Sequence, residues 1–186
     1  MNRAADLVLA LALAMVLIVP IAIISGFVAA TSRGPILFWS QRIGQGGKPF
    51  AMPKFRTMRT GTPVVATHLL QDARQALTPI GGFLRSTSLD ELPQLWSILR
   101  GDMGFVGPRP ALFNQDDLME LRRAAGVDLL RPGLTGWAQI NGRDELSIEE
   151  KVKFESEYLR RKGMLFDLKI IFLTALRALG RKGVSH

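Results

Sequence analysis

The sequence predicts a mostly helical α+β fold, with a membrane-inserted helix at residues 1–31 followed by a small domain at residues 32–186. Three observations support this fold class. The chain opens with about 24 uncharged, apolar residues, several later segments have the apolar spacing of helices, and one short stretch alternates like a strand. A chain of 186 residues has room for one ordinary domain and one additional element.

Residues 7–30 form the predicted membrane segment. They read LVLALALAMVLIVPIAIISGFVAA and are long enough to cross a hydrocarbon layer of about 30 Å. The run exceeds the apolar core of a cleaved signal peptide, which has about 7 to 15 residues. Pro20 removes a backbone hydrogen bond near the middle, so we expect a kink or a break there. The segment either spans the membrane or turns at Pro20 and returns to the same face, and Arg3 favours the return because both flanks are then positive.

Basic residues are concentrated after this segment. Lys and Arg number 24 against 16 Asp and Glu, and no acidic residue occurs between Asp6 and Asp72. Because positively charged flanks remain in the cytoplasm, we expect residues 32–186 on that side. A basic cluster also suits phosphate-bearing partners, which include nucleotides, nucleic acids and anionic lipids. Its members are Arg33, Arg42, Lys48, Lys54, Arg56 and Arg59.

Two residue types are scarce enough to exclude classes of site. The chain has no cysteine, which excludes disulfides, thiolate metal sites and a cysteine nucleophile. It has only two histidines, His68 and His186, which argues against a zinc site and against a histidine-based catalytic triad.

A loop and one strand are predicted first in the domain. Residues 31–49 are rich in Gly and Pro and predict a loop, and PFAMPKFRTMR at residues 49–59 then predicts a short strand. The two-residue period of a strand places alternate side chains on one face. On this face we expect Phe50, Met52, Lys54 and Arg56.

Four helices are predicted after this strand. The first has an apolar stripe at helical spacing from Leu92 to Leu99 and ends at Arg100 and Gly101. The third opens with Ser147, which forms a capping-box pattern with Glu150. The fourth is rich in Leu, Ile and Phe, and either lies in the membrane interface as an amphipathic helix or packs in the core. The second helix covers residues 114–125, the third covers residues 147–162 and the fourth covers residues 164–179.

The stretch SLDELPQLWSILRGDMGFVGPRP at residues 88–110 contains an acid pair, Asp90 and Glu91, at the head of an apolar helix. Asp90 is interpreted either as the N-cap of that helix or as part of a site, and the two interpretations are compatible. Arg85 and Arg109 flank the pair and could hold a diphosphate beside it. A carboxylate that attacks an anionic phosphate needs Mg²⁺ to relieve the repulsion, and its expected ligands are Glu91 and Asp90.

Two further segments carry an arginine on a stiff loop. GPRP at residues 107–110 restricts the backbone around Arg109, and RPGLTGWAQINGR at residues 131–143 ends in Arg143 after a glycine. Each loop alone is typical of a solvated surface. Several basic residues on rigid loops around one acid pair favour phosphate chemistry.

These motifs also resemble a known family. Five motifs resemble those of the bacterial sugar transferases. They are KFRTM at 54–58, SLDELPQL at 88–95, GDM at 101–103, VGPRP at 106–110 and RPGLTGWAQINGR at 131–143. These transferases are the monotopic phosphoglycosyl transferases that act on polyprenyl phosphate. The motifs occur in order and span most of the chain, whose length is similar to that of the small members.

The resemblance implies a two-step exchange. A motif aspartate attacks the β-phosphate of a UDP-sugar, releases UMP and holds the phosphosugar covalently until polyprenyl phosphate attacks it. Asp90 is then the nucleophile, and Glu91 binds Mg²⁺ and helps to position or deprotonate the lipid phosphate. The residues implied to contact nucleotide, diphosphate or lipid phosphate are Lys54, Arg85, Arg109 and Arg143, with Arg56 as a further candidate.

The resemblance also implies a location and partners. The catalytic domain lies on the cytoplasmic face of the bacterial inner membrane, and its partners are membrane lipids, UDP-sugar, polyprenyl phosphate and downstream glycosyltransferases, but not nucleic acid. The N-terminal segment of the family is a re-entrant helix broken at a Ser-Pro pair, with both ends cytoplasmic. This chain has Val19 before Pro20, so the serine hydroxyl that helps to satisfy a broken backbone is missing. Phe105 stands where members often have serine.

Two alternatives stay open at this point. One is a membrane-anchored module whose basic cluster binds anionic lipid or nucleic acid, although it gives the acid pair no role. The other is an enzyme that transfers the phosphosugar in a single step through a ternary complex, with Asp90 only binding metal. The identity of the sugar, the glycoconjugate that is assembled and the oligomeric state cannot be read from the residues.

Overall fold

The computed structural model describes residues 2–63, 75–142 and 145–180, and the side chains of 178–180 lie outside this description. The predicted fold class is confirmed in outline, because helices dominate and the strands are short. The strands are β1 (Leu37–Ile43), β2 (Pro49–Phe55), β3 (Gly104–Val106), β4 (Ala111–Leu112) and β5 (Gly133–Thr135). The helices are α1 (Arg3–Thr31), α2 (Gly81–Ser86), α3 (Leu95–Arg100), α4 (Asp116–Ala124), α5 (Trp137–Ile140), α6 (Ile148–Arg161) and α7 (Met164–Gly180), with a 3-10 helix at Leu89–Gln94 before α3.

Helix α1 is long and apolar enough to cross a membrane, which no other described helix is. It runs without interruption from Arg3 to Thr31, so a break at Pro20 is wrong, while the alternative that the sequence left open, a kink, stays a prediction. The proline ring removes only one backbone hydrogen bond of a 29-residue helix. The helix packs against the domain on both sides of Pro20, and this packing supports its continuity.

One face of α1 is covered along its length. Ala10 and Val28 are fully buried, and Asp6 and Ile24 nearly so, at the three- and four-residue spacing of a helical stripe. Partly buried side chains fill the gaps in this stripe, and they are Leu13, Leu17 and Ile21. The opposite face is apolar and open, and its exposed side chains include Val8, Leu11, Met15, Val16 and Val19.

Polar contacts fix the N-terminal end of α1 to the domain. The Arg3 guanidinium donates to the carbonyls of Ile98 at 2.5 Å and Leu99 at 2.7 Å, near the C-terminal end of α3. The buried Asp6 carboxylate accepts a hydrogen bond from the backbone N–H of Phe105 in β3 at 3.2 Å. Cations are favourable at helix C-termini, because the last carbonyls of a helix lack partners within it. Because Val28 near the other end of α1 is also buried against the domain, both ends of the helix contact it.

A three-stranded antiparallel sheet in the order β2-β1-β4 supports one side of the site. β1 lies within residues 31–49, where the sequence predicted a loop, so that prediction is wrong for residues 37–43. β1 and β2 form a hairpin whose turn contains Gly46 and Gly47 at φ 66° and 76°. β4 pairs with the end of β1, where Arg42 lies opposite Leu112. The sheet thereby places the loop before β4 beside Arg42, which donates to the carbonyl of Pro110, whereas Lys54 lies opposite Phe38 near the start of β1.

A second, parallel pair consists of β3 and β5. The segments that follow the two strands approach each other closely. A Cβ atom added at Gly133 would lie 2.1 Å from the backbone nitrogen of Gly107, and a Cβ atom added at Gly136 would lie 2.1 Å from the carbonyl oxygen of Gly107. Glycine at these positions allows the GPRP loop to lie directly on the segment around β5. This contact sets the position of Arg109.

The predicted helices are confirmed with small changes at their ends. The helix at the acid pair begins as a 3-10 helix and ends at Arg100, with Gly101 at φ 99° as the C-cap. The capping box of Ser147 and Glu150 is present at the start of α6. In α7, Ile170 is fully buried while Leu165 is 84 % exposed. This last helix therefore has one face in the core and an apolar face outside it.

We predict that Gly133→Ala lowers the free energy of unfolding by roughly 3 kcal/mol, because the new methyl group must displace backbone atoms of Gly107 and Val106. Thermal unfolding of the detergent-solubilised protein measures the change. Gly82→Ala is the matched control, since a Cβ there meets only one side-chain atom at 3.8 Å. It should be neutral or stabilise helix α2 by up to about 1 kcal/mol. Equal unfolding temperatures for the two variants would contradict the close packing described here.

Candidate active site

The acid pair lies in the first turn of the 3-10 helix. Ser88 precedes it with φ 58° and ψ 16°, and is the only non-glycine residue with positive φ in the described part of the chain. Such a conformation costs on the order of 1 kcal/mol or more for a residue with a Cβ. Ser88 occupies the N-cap position, so the interpretation of Asp90 as the N-cap is wrong. In a 3-10 helix neighbouring side chains diverge by about 120°, which lets Asp90 and Glu91 face different partners.

Glu91 is held by two cations from different parts of the chain. Its Oε1 accepts hydrogen bonds from Lys54 Nζ at 2.8 Å and from Arg109 Nη2 at 3.1 Å. Lys54 Nζ also lies 3.9 Å from Oδ2 of Asp90, so this ammonium group stands between the two carboxylates. The Lys54, Asp90 and Glu91 side chains are 16 %, 11 % and 13 % exposed. The ion pairs are thus largely shielded from water, which strengthens them.

The two carboxyl groups have different acidities. Burial raises the pKa of Asp90, an effect that the charge of Lys54 opposes and that of Glu91 reinforces. Burial by itself also raises the pKa of Glu91, but the charges of Arg109 and Lys54 together hold that pKa well below its usual range. Glu91 is therefore a firmly ionised group, whereas Asp90 is the more basic carboxylate of the pair. Neighbouring carboxyl groups with divergent pKa values are typical of sites that give them separate roles.

Further positive charge surrounds the pair. The charge of Arg85 lowers the pKa of Asp90, which places Arg85 within electrostatic range of that carboxylate. Burial, followed by the charge of Arg109, lowers the pKa of Arg42 to about 10, and Glu91 opposes this effect. The acid pair thus lies among four basic side chains, called here the cation group. They are Arg42, Lys54, Arg85 and Arg109.

Arg42 is a site residue that the sequence analysis missed. It was counted in the basic cluster, but its segment was predicted to be a loop. Once β1 is recognised as a strand, its alternation places Arg42 on the same face as Ser40, to which its Nε donates at 3.0 Å. The alternation of Phe38, Ser40 and Arg42 was the available signal, and its meaning depends on pairing with β2.

Of the five basic residues predicted for the site, three lie near the pair, one lies elsewhere and one is outside the described residues. Lys54 and Arg109 contact the acid pair, and Arg85 lies within electrostatic range of Asp90. Arg56 follows β2, is 5 % exposed and donates from Nη2 to the carbonyls of Ser32 and Gly34. It therefore holds the connection between α1 and β1, and its assignment as a substrate contact stays a prediction. Arg143 lies outside the described residues.

The donor chemistry of the pair fits Mg²⁺. Within the described residues no group of three or more His, Cys, Asp or Glu side chains could hold a metal ion. Mg²⁺ needs fewer protein ligands than this, because it is commonly bound by one or two carboxylates together with waters and substrate phosphates. Asp90 and Glu91 supply hard oxygen donors of that kind. The residues present therefore suit an ion that binds together with a phosphate.

The family comparison matches nearly the whole chain. Residues 1–181 match the model of the family described as bacterial sugar transferase. The UDP-glucose:undecaprenyl-phosphate glucose-1-phosphate transferase of Escherichia coli (strain K12) is 39 % identical over 98 % of this chain and 41 % of that protein. The undecaprenyl-phosphate galactose phosphotransferase of Salmonella typhimurium is 35 % identical over 91 % of this chain and 39 % of that protein.

A smaller relative matches over most of its own length. The exopolysaccharide production protein ExoY of Sinorhizobium fredii is 38 % identical over 93 % of this chain and 83 % of that protein. By contrast, the chain spans 41 % and 34 % of the glucose-1-phosphate transferases of Escherichia coli and Xanthomonas campestris. The match of the family model along the chain and the identity to these relatives lead to one conclusion: this chain belongs to the bacterial sugar transferase family.

Proposed function

We propose that this protein transfers a sugar 1-phosphate from a UDP-sugar to polyprenyl phosphate, releasing UMP and forming a polyprenyl-diphosphate sugar. The observation that carries the proposal is the shielded acid pair within the cation group. The positive charges of Arg42, Lys54, Arg85 and Arg109 around the pair suit the phosphate oxygens of an anionic substrate. The diphosphate of a nucleoside diphosphate sugar is such an anion. The names of the relatives, which specify undecaprenyl phosphate, support the lipid acceptor.

In the first step, a carboxylate oxygen of Asp90 attacks the β-phosphorus of the UDP-sugar. A bond forms between this oxygen and phosphorus, and the bond from phosphorus to the bridging oxygen breaks. UMP leaves with the bridging oxygen and its electron pair, and the phosphosugar stays on Asp90. The raised pKa of Asp90 supports this assignment, because the more basic carboxylate is the better nucleophile.

In the second step, a phosphate oxygen of the polyprenyl phosphate attacks the same phosphorus. The bond between phosphorus and the Asp90 oxygen breaks, and the aspartate returns to its carboxylate form. Two steps allow the water-soluble nucleotide to leave before the lipid occupies the same site. Arg109, Lys54 and Arg42 bind the phosphate oxygens in both steps, because their charges stabilise the negative charge that accumulates on them.

Glu91 and Asp90 would hold Mg²⁺, which when bound neutralises phosphate oxygens and reduces their repulsion of the attacking carboxylate. The lowered pKa of Glu91 makes this carboxylate a weak base, so we assign it to binding and positioning rather than to removing a proton from the lipid phosphate. Its contacts with Lys54 and Arg109 orient these two cations toward the substrate.

We predict that Asp90→Asn abolishes UMP release while the protein stays in the membrane fraction. The amide keeps the shape of the carboxylate but lacks the charged oxygen that attacks phosphorus. UMP release is measured with a UDP-sugar, Mg²⁺ and undecaprenyl phosphate. Asp116→Asn is the control, because Asp116 is an exposed carboxylate in the first turn of α4. Undiminished turnover of Asp90→Asn would refute the assignment.

The same substrates separate this proposal from its alternatives. A membrane-anchored module that only binds lipid or nucleic acid releases no UMP from the wild-type protein. Transfer through a ternary complex leaves no phosphosugar on the enzyme when the UDP-sugar is supplied without lipid. Mass spectrometry of the peptide that contains Asp90, after rapid quenching, should show the added phosphosugar. Release of UMP by a wild-type protein that carries no adduct would favour the ternary complex.

We predict that Glu91→Gln raises the Mg²⁺ concentration for half-maximal UMP release by about 10-fold or more. An amide oxygen is a weaker ligand than a carboxylate, and the substitution also removes the charge that holds Lys54 and Arg109. The measurement is a Mg²⁺ titration at a fixed UDP-sugar concentration. An unchanged midpoint with a lower maximal rate would exclude Glu91 as a metal ligand.

We further propose that both ends of α1 lie on the side of the bilayer that carries the active site, which is the cytoplasmic face of the bacterial inner membrane. The contacts of Arg3 and Asp6 at one end, and the burial of Val28 at the other, support this arrangement. The open apolar face of α1 and that of α7 then meet the lipid. Downstream glycosyltransferases would receive the lipid-linked sugar on the same face.

We predict that cysteines at the start of α1 and in α4 of the catalytic domain react from one side of the membrane. Because the chain has no cysteine, single variants can be labelled without background. Ala4→Cys and Asp116→Cys should react with a membrane-impermeant maleimide in inverted vesicles but not in intact spheroplasts. Met15→Cys, which is in the open face of α1, should react only after detergent is added. Labelling of Ala4→Cys in intact spheroplasts would show a spanning helix.

A further inference from the structure

Two arginines hold the backbone of the loop that carries Arg109. Arg122 on α4 donates from Nη2 to the carbonyl oxygen of Arg109 at 2.9 Å. Arg42 on β1 donates from Nη1 to the carbonyl oxygen of Pro110 at 3.2 Å. Two successive carbonyls are therefore fixed from two different elements. Prolines on both sides of Arg109 further restrict the backbone.

Arg122 is itself fixed by a glutamate on a third element. Its Nε donates to Oε2 of Glu155 at 2.8 Å, and its Nη2 donates to Oε1 of the same carboxylate at 2.5 Å. The two residues are 4 % and 2 % exposed. Paired hydrogen bonds of this kind set the plane of the guanidinium group as well as its distance. Arg122 Nη2 is thereby aimed at the Arg109 carbonyl.

Stability alone does not account well for this buried pair. Removing two charges from water is costly, and apolar side chains of similar volume often stabilise a core at least as well as a buried ion pair. Apolar side chains could not donate a hydrogen bond to the carbonyl of Arg109. What the Arg122–Glu155 pair supplies, and apolar side chains would not, is therefore the hydrogen bond from Arg122 to the Arg109 carbonyl.

The chain of contacts ends at the reacting carboxylates. Arg109 has its carbonyl fixed by Arg122, while its Nη2 reaches Oε1 of Glu91 at 3.1 Å. A shift of the loop by about 1 Å would move this guanidinium out of hydrogen-bond range of the acid pair and of any phosphate beside it. Misplacements of this size can lower rates by about 100-fold even when they originate away from the chemistry.

We propose that Glu155, acting through Arg122, is a positioning residue for Arg109 in phosphate binding. The proposal rests on the function proposed above. Neither Glu155 nor Arg122 belongs to the motifs around the acid pair, and both lie on helices that do not carry it. The amide of Glu155→Gln cannot accept both hydrogen bonds from Arg122, so the plane of its guanidinium is no longer fixed.

The test is the steady-state kinetics of UMP release for Glu155→Gln. We expect kcat/KM for the UDP-sugar to fall between about 10- and 100-fold. Glu157→Gln is the matched control, because Glu157 lies on the same helix and also accepts hydrogen bonds from an arginine and from Trp137. It should leave kcat/KM unchanged. Rates are measured well below the unfolding temperature of each variant, so that unfolded protein does not contribute.

A double-mutant cycle separates positioning from general stability. If Glu155 acts through Arg109, then Glu155→Gln has no further effect on kcat/KM in an Arg109→Ala background. A loss of the same size in both backgrounds would overturn the proposal. Arg122→Lys provides a second variant, since lysine keeps the ion pair but cannot bind both the carboxylate and the Arg109 carbonyl in the same geometry. It should lose kcat/KM as Glu155→Gln does, and normal kinetics would also overturn the proposal.

Failure of the proposed function would look different. In that case the wild-type protein releases no UMP, and the positioning role, which rests on that reaction, is overturned with it. If the wild type releases UMP and Glu155→Gln matches it, the proposed function stands and the positioning role is wrong.

Discussion

The ion pairs of Glu91 hold together three parts of the chain that are far apart in sequence. Lys54 comes from β2, Arg109 from the loop between β3 and β4, and Glu91 from the 3-10 helix, and they meet at one carboxylate oxygen. A buried carboxylate that loses its partners costs several kcal/mol, so these contacts fix where the three segments lie. Asp90, as the next residue along the chain, is positioned by the same contacts. The hairpin, the parallel strand pair and the buried pair of Arg122 and Glu155 each support one of these segments.

The site combines rigid elements with one strained residue. The glycines that bring the GPRP loop against β5 leave no space for side chains there, and the prolines restrict its backbone further. Ser88 takes a left-handed conformation directly before the acid pair. Strain of this kind persists only where the surroundings enforce it. Here the surroundings are Lys54 and Arg109, which bind Glu91, and helix α3, which follows the 3-10 helix. The described residues of the site are thus held by several neighbouring elements of the fold.

The sequence predicted features that depend on neighbouring residues. The capping box of α6, the glycine that ends α3 and the acid pair with its flanking arginines could all be read locally, and the structure contains each of them. The features that it did not predict depend on distant partners. β1 is recognisable only once it pairs with β2, and Arg42 becomes a site residue only in that pairing. Arg56 alternates correctly with Lys54 but lies beyond the end of β2, where the carbonyls of Ser32 and Gly34 bind it. The continuity of α1 through Pro20 depends on packing against residues that follow much later.

The polar contacts at the start of α1 also bear on how the protein is made. The partners of Arg3 and Asp6 lie 95 to 99 positions later in the chain. Helix α1 therefore cannot make these contacts until about 100 further residues have been synthesised. Contacts with such large sequence separation form late and slowly. The final position of α1 and the folding of the domain that follows it are consequently coupled through these contacts.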